Sequence, residues 1–528
     1  LARYPHTVRF STQKLPPSIA AELDSEQTAS PRAQVDEFTA SSHLISCNDQ
    51  AMKTWPRKRQ TLTFSAEING DNCQCEFCKR NKSFEAPSEL LDAFLDGSVL
   101  LFAGAGISTE APGVMPNTLY SEINYILGGT THDRAFPDLM EDFCSSPSGK
   151  IGLIQKIKEH FDYAYSHGQI YRNATRFHRE LATFFPLDTV VTTNWDDYFE
   201  QHCAATPFIE DRDLGLWAAA ERKVIKIHGS ISNFGSIVAT RSDYKACETR
   251  LQIGLLGAHL KSLLATRNVV FIGYSLRDDD FLQIYGGVLD ALRDFRRQAY
   301  FVAPNISASD RQRLSELNLN LIETDGTFFV EQIKAHATTK ICLCSDVMYE
   351  EVEGILALTR RAHSWLHDTY NAIKYPQILF CSWYQDGMLH ALERILRLRK
   401  TGIYSDRHRL IGSFRSYHAY AEQYRKIRNY SDSAYCYGYA NAYLYASLDD
   451  KERSELTPPI FFYFDCEIET AAKYKRALKR LPELHKSAFK YAQRIAARHP
   501  HLETHVLDHK DQLDLSQIYP FNKLDSAD

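Results

Sequence analysis

Short apolar runs that end abruptly in glycine or polar residues recur between Val99 and Thr324, with amphipathic stretches between them. The first, Val99-Leu-Leu-Phe-Ala103, runs into Gly104-Ala-Gly-Ile-Ser108. A run with no polar alternation has no solvent face, which predicts a central parallel strand covered on both sides. Asp188-Thr-Val-Val-Thr-Thr193, Lys223-Val-Ile-Lys-Ile227, Asn268 to Ser275, Gln298 to Pro304 and Asn318 to Thr324 are read as further strands. Helical spacing fills the gaps. Leu90 to Leu95 precedes the glycine-rich strand, Ile151, Ile154, Ile157, Phe161 and Tyr165 fall on one predicted helix face, and Arg176 to Phe185 and Ala308 to Leu317 give shorter helices. Strand and helix alternating in this way predict an α/β, Rossmann-like doubly wound parallel sheet.

Beyond about residue 338 the strand rhythm fades. Val352 to Leu366, Gly387 to Arg399, Tyr417 to Arg428 and Glu467 to Arg498 have helical spacing, with Pro458-Pro459 and Pro482 as breakers or helix starts. The expected organisation is therefore an irregular N-terminal extension over 1–87, an α/β domain over 88–338 and a mostly α-helical domain over 339–528. Thr61-Leu-Thr-Phe-Ser65 is a short strand within the extension. The C-terminal faces exceed what a lid over the sheet requires, so this domain is expected to sense a trigger or build a homo-oligomer.

Composition narrows the classes. A net charge of −5 with 24% charged residues gives no global field toward nucleic acid or an anionic membrane. The basic block Lys473 to Arg498 reads as a solvated helix face, so direct nucleic-acid binding is not indicated. The start has no apolar core of signal-peptide length, and no run reaches the roughly 18 apolar residues that span a bilayer. A soluble cytoplasmic chain is expected, and its 12 cysteines are expected to be reduced. Cys73, Cys75 and Cys78 cluster with Cys47 or His43 as a conceivable fourth zinc ligand, but three adjacent thiols do not close a tetrahedral site, and free thiols are preferred.

The strand ends carry the chemistry. Open α/β sheets bind ligands at the carboxyl edge, where these runs deliver Gly104 and Gly106, Asn194-Trp-Asp196, and His228-Gly-Ser230. The bare backbone at Gly104 and Gly106 lets N–H groups approach a pyrophosphate, and Ser108 is placed to open a helix. Asp278, Asp279 and Asp280 are read as charges stabilising a helix N-terminus, with no metal site. No Walker A motif is present, so no intrinsic ATPase is expected.

Gly104-Ala-Gly-Ile-Ser108, Thr192-Thr-Asn-Trp-Asp196, Lys226-Ile-His-Gly-Ser230 and Gly273-Tyr-Ser-Leu-Arg-Asp-Asp-Asp280 together resemble, in order and spacing, the Sir2 superfamily. The resemblance covers roughly 88–338 and is nearest to the Sir2-like NAD-consuming effectors of prokaryotic antiviral defence. It implies NAD+ as substrate, with the diphosphate held by Gly104, Ala105, Gly106 and Ser108, and with Thr193, Gly273 and Ser275 also in the cofactor site, Ser275 on the adenosine side. Asn194 and Asp196 would orient the nicotinamide ribose and a water, and His228 would face that ribose. Two departures separate the chain from the deacylases of the superfamily. Only Cys247 stands where they carry a four-cysteine zinc module, and Pro112-Gly-Val-Met-Pro-Asn117 replaces their Gly-Ile-Pro-Asp-Phe-Arg.

The resemblance thus implies an NAD+ hydrolase that depletes NAD once activated during infection, by a phage-derived trigger or with a defence-system partner such as an ATPase. An NAD-dependent deacylase or ADP-ribosyltransferase is one alternative. A regulatory module that binds NAD or ADP-ribose without turnover is another.

Overall fold

A computed structural model describes residues 61–65, 75–129, 134–274, 279–340 and 343–498, with 467 and 469 excepted. Two compact units contain them, one of Lys58–Leu343 with Leu398–Ser405, the other of Cys344–Arg397 with the chain from Asp406 onward.

The first unit is built on a sheet of seven strands. After a short antiparallel pair, β1 (Thr61–Phe64) with β2 (Phe84–Pro87), come β3 (Val99–Ala103), β4 (Thr189–Thr192), β5 (Thr206–Phe208), β6 (Lys223–Lys226), β7 (Asn268–Ile272), β8 (Ala299–Val302) and β9 (Asn320–Ile322). Their order is β5-β6-β4-β3-β7-β8-β9, and all pairings are parallel. β3 is the pivot, because the chain builds outward to β4 on one side and β7 on the other. The loop after β3 therefore lies at the topological switch point, where the crossovers diverge and leave a crevice.

β3 is buried throughout, and its residues divide strictly between two cores. Val99, Leu101 and Ala103 meet helices Ser88–Leu95, Arg176–Ala182 and Gly326–Lys340, whereas Leu100 and Phe102 meet Leu255–Thr266 and Asp279–Leu292. This two-sided burial is why the apolar run is unbroken. The insertion between β3 and β4 forms a third core from Leu119–Ile126, Phe136–Cys144 and Gly149–Ser166, joined by Ile237 and Ala239. Ile157 and Phe161 enter it, but Ile151 is 75% exposed, contrary to its expected place on that face. The buried face of this helix runs through Leu153, Ile157, His160, Phe161 and Ala164, and Ile151 lies off it.

Two further expectations change. Ser108 opens no helix: a 3-10 turn occupies Ala105–Ile107, and the next helix begins at Leu119 with the Thr118 hydroxyl accepting from Ser121 N–H at 3.1 Å. The segment before Ser88 is tied to the sheet unit at residues 75–87. There the Lys82 backbone exchanges two hydrogen bonds with the Thr324 hydroxyl, at 2.8 and 3.1 Å, beside the end of β9.

The second unit is helical among its described residues. Val347–Thr369, Ile378–Arg397 and Arg407–Lys426 overlap the stretches of helical spacing but start five to ten residues earlier, the last two ending two residues sooner, and Ala471–Ala477, Leu481–Leu484 and Lys486–Arg498 divide the last stretch around Pro482. The centre, however, is a helix without a readable period, Tyr430–Ser447, in which every residue from Ser431 to Ser447 is buried. Gly387 and Gly438 let it touch its neighbour Ile378–Arg397. A Cβ on either would come within 2.0 or 1.9 Å of the Tyr435 or Tyr384 carbonyl oxygen.

Candidate functional site

The carboxyl ends of β3, β4, β6 and β7 bring most of the expected residues together. Thr192, the last residue of β4, donates its hydroxyl to the Ala103 carbonyl at 2.8 Å and accepts from Asn194 N–H at 3.0 Å. Asn194 is thereby turned back over the glycine loop, where its Nδ2 donates to the Gly104 carbonyl at 3.2 Å and to Ser108 Oγ at 3.4 Å. Ser108 Oγ donates to Asp196 Oδ2 at 3.0 Å. Asn194, Ser108 and Asp196 are all buried and form one chain of hydrogen bonds. The Asn194 Oδ1 is buried with no protein partner. An unmade hydrogen bond of this kind costs free energy unless something else supplies a donor.

The glycines serve another purpose here. Gly104 N–H donates to the Ile272 carbonyl at 3.0 Å, and Gly106 N–H donates to the Gly273 carbonyl at 2.9 Å. A Cβ on Gly104 would lie 2.5 Å from Gly273 O, one on Gly106 2.8 Å from it, and Gly273 itself adopts φ +61°. The three glycines are what let the loops after β3 and β7 press backbone on backbone. The two N–H groups expected to face a diphosphate are thus engaged within the protein. Among the described residues, Ala105 is the loop position whose N–H has no backbone acceptor.

His228 stands two residues beyond β6, 6% exposed, with its ring centroid 4.7 Å from that of Tyr244. Thr193 lies between Thr192 and Asn194 at the same edge, half-buried. Ser275 and Asp278 lie outside the described residues, as do Cys73, Cys47 and His43. Cys75 and Cys78 are exposed, with the Cys78 N–H donating to Cys75 Sγ at 3.4 Å, and Cys247 is a core thiol donating to the Ile227 carbonyl at 3.4 Å.

Burial raises the Asp196 carboxyl above its ordinary range, opposed by the Lys226 charge and by the Ser108 hydroxyl. Lys226, a charged residue within a strand, has a side chain that is 0% exposed, with Nζ donating to the Asp196 carbonyl and, at 3.1 Å, to Glu200 Oε1. Glu200 is likewise raised, by burial first, with Lys226 opposing. Adjacent residues of β6 enter opposite cores, Val224 one and Ile225 the other, so both its faces are covered.

Two other groups escaped the sequence reading. His160 has a side chain 2% exposed, with Nε2 3.5 Å from Glu110 and Nδ1 3.9 Å from Glu122. Asp325 caps the helix Gly326–Lys340 by accepting from Thr327 N–H at 3.0 Å, and it meets Arg176 at 3.4 Å and Arg80 at 4.0 Å. Both arginines lie over Phe77, at 5.3 and 5.0 Å from its ring centroid.

Residues 188–323, from β4 to β9, match the SIR2-like domain family. The chain is similar to an NAD(+) hydrolase ThsA of Enterococcus faecium, 24% identical over 290 residues that make up 52% of this chain and 57% of that protein. A second NAD(+) hydrolase ThsA, of Cytobacillus dafuensis, is 23% identical over 325 residues, 58% of this chain and 62% of the relative. Defense-associated sirtuin 2 of Bacillus subtilis is 21% identical over 248 residues, 44% of this chain and 23% of the relative. The matches thus span about three fifths of each ThsA. The part of this chain that is similar to a SIR2-like domain is thus the stretch of the parallel sheet that runs from β4 to β9 in the sequence.

Proposed function

We propose that the protein is an NAD+ hydrolase that cleaves the nicotinamide–ribose bond, acting as an effector of antiviral defence that depletes NAD when activated. The observation that carries this reading is the buried, unpartnered Asn194 Oδ1 at the switch point, in a chain whose Ser108–Asp196 bond is already made. A ribose hydroxyl is a donor of the kind that oxygen lacks. The two similar proteins named NAD(+) hydrolase ThsA support the same substrate.

The reaction needs little acid catalysis, because nicotinamide leaves neutral from a cation. Water adds to the ribose carbon as the glycosidic bond breaks, giving nicotinamide, ADP-ribose and a proton. The protein must fix the ribose, stabilise oxocarbenium charge and direct the water. In this reading Asn194 holds the ribose through its amide, its Nδ2 anchored on Gly104. Asp196, fixed by Ser108, supplies negative charge in a buried setting. His228, at the adjacent strand end, accepts a proton from water or a ribose hydroxyl. Ala105 N–H remains for the diphosphate, while Ser108 keeps its hydroxyl on Asp196 and Gly104, Gly106 and Gly273 act by setting the loop's shape.

None of the described helices is long and apolar enough to cross a membrane, and a cytoplasmic site of action fits this reading. The C-terminal helical unit is assigned to assembly or trigger recognition, with a homo-oligomer or a defence-system ATPase as its partner class.

The test is a product assay on the full chain over a range of protein concentrations, with nicotinamide and ADP-ribose separated chromatographically. Nicotinamide and ADP-ribose should appear together without peptide, and Asn194→Ala and His228→Ala should each abolish release while circular dichroism stays unchanged. Release strictly dependent on an acylated peptide would move the chain to the transferases. NAD binding without release at any concentration would make it a regulatory module.

A further inference from the structure

The basic block near the C-terminus has no part in the chemistry above. Nine Lys and Arg stand between Lys473 and Arg498 against one acid, Glu483, in a chain whose net charge is −5. The helix Lys486–Arg498 arranges four of them, Lys486, Lys490, Arg494 and Arg498, at intervals of four residues. Its opposite face, Ala488, Ala492 and Ala496, is buried. Four residues advance about 6 Å along a helix, the length scale of one nucleotide in an extended strand. Among the described residues none of the four cations has a carboxylate partner, nor has Arg428.

The stripe borders a groove of about 600 Å³ whose lining includes Arg428, Tyr430, Lys490, Tyr491 and Arg494. The two tyrosines are fixed in place. Their rings meet edge to face at 5.6 Å, Tyr430 OH lies 2.9 Å from Ser487 Oγ, and Tyr491 OH lies 2.8 Å from Ser431 Oγ. Arg494 sits 5.9 Å from the Tyr491 ring centroid. Arg428 adopts φ +64°, a region where a non-glycine residue is disfavoured, and its side chain joins the cations along this groove.

We propose that this groove binds single-stranded nucleic acid, with phosphates on Lys490, Arg494 and Arg428 and an unstacked base against Tyr430 and Tyr491. Aromatic platforms between cations are how single strands are held without sequence readout. A duplex presents phosphates but keeps its bases stacked, so it cannot use the recessed rings. The helix also lacks the apolar outer face that a membrane surface would need. The inference stands independently of the NAD reaction.

Fluorescence anisotropy tests it on the full chain, with labelled 20-nucleotide oligo-dT, oligo-rU and a duplex of equal length, between 50 and 300 mM KCl. At least one single strand should bind at 50 mM, tighter than the duplex, with affinity falling as salt rises. Lys490→Gln with Arg494→Gln should weaken it at least tenfold and flatten the log–log salt slope by about 1 to 2. Tyr491→Phe, which keeps the ring, should bind as the parent does. Arg296→Gln with Arg297→Gln, equal in charge but in the other unit, should leave binding intact. No binding at 50 mM, duplex binding as tight as single strand, or equal losses in the two double variants would each overturn the proposal. Circular dichroism and melting temperature, expected to be unchanged, separate these losses from unfolding.

Discussion

Lys226→Met removes a buried cation that is paired with Glu200 and opposes the raised carboxyl groups of both Glu200 and Asp196 beside the candidate site. Lys226 Nζ lies 3.1 Å from Glu200 Oε1, with side chains 0% and 17% exposed, and Glu200 Oε2 is buried without a partner. At that distance an effective dielectric constant near 20 gives an attraction of about 5 kcal/mol. Breaking a buried pair by deleting one partner typically costs about 3–5 kcal/mol, since the remaining charge keeps its desolvation penalty. The same change strips the Asp196 carbonyl of its donor. The pH dependence has a definite sign. Glu200 is already raised in the folded protein and loses its main opposing cation in the variant, so its folded form holds the proton still more tightly. Below the unfolded carboxyl value near 4.3 the variant escapes this penalty. As pH rises toward the folded value the penalty grows by about 1.4 kcal/mol per pH unit. Lys226→Met should thus lose about 3–5 kcal/mol at pH 8 and clearly less at pH 5. Hydrogen exchange of peptides spanning β4 and β6 reads this for the sheet unit. Glu200→Gln added to Lys226→Met should restore much of the loss at pH 8. A cost below about 1 kcal/mol, equal costs at both pH values, or no rescue would refute the buried-pair reasoning.

Ser108→Ala deletes the hydroxyl that lowers the Asp196 carboxyl, so that group rises further and stability is lost as pH increases. The expected cost is about 1–3 kcal/mol, larger at pH 8 than at pH 5, measured as melting temperature against pH. Gly106→Ala should drive the loops after β3 and β7 apart, because its Cβ would lie 2.8 Å from Gly273 O. NAD binding measured by calorimetry should weaken at least tenfold, and parent-like affinity would detach the loop's shape from its role. Gly438→Ala places a methyl 1.9 Å from the Tyr384 carbonyl, and its second unit should melt several degrees lower, while β3 amide exchange stays as in the parent.

Most of the sheet was readable because a strand covered on both faces leaves an unbroken apolar run, as Val99–Ala103 does. The carboxyl-edge rule then placed Asn194, Asp196 and His228 at neighbouring strand ends, three residues that the sheet topology does bring to one edge. The role of Lys226 was not legible, because its partner Glu200 stands 26 positions earlier on a helix and nothing local shows that the two will meet in the interior. Gly104 and Gly106 were legible as residues but not in their use, because nothing local reveals that Gly273 will press against them from a strand more than 160 positions away. The helix Tyr430–Ser447 left no amphipathic signal because no side of it faces water, and its many tyrosines read equally well as strand or surface.

That buried helix gives the second unit an internal clock. Its residues from Ser431 to Ser447 are buried, chiefly against the neighbouring Ile378–Arg397 and Arg407–Lys426. Solvent reaches them only when the whole packing opens, so their exchange rate measures the stability of the entire unit, while the solvent-facing helix Lys486–Arg498 exchanges through local fraying. A ligand, a partner or a trigger that engages this unit anywhere on its surface would lower the logarithm of the exchange rate of Tyr430–Ser447 in proportion to the free energy it contributes. The least accessible part of the chain is therefore the place to listen for whatever binds the most accessible part.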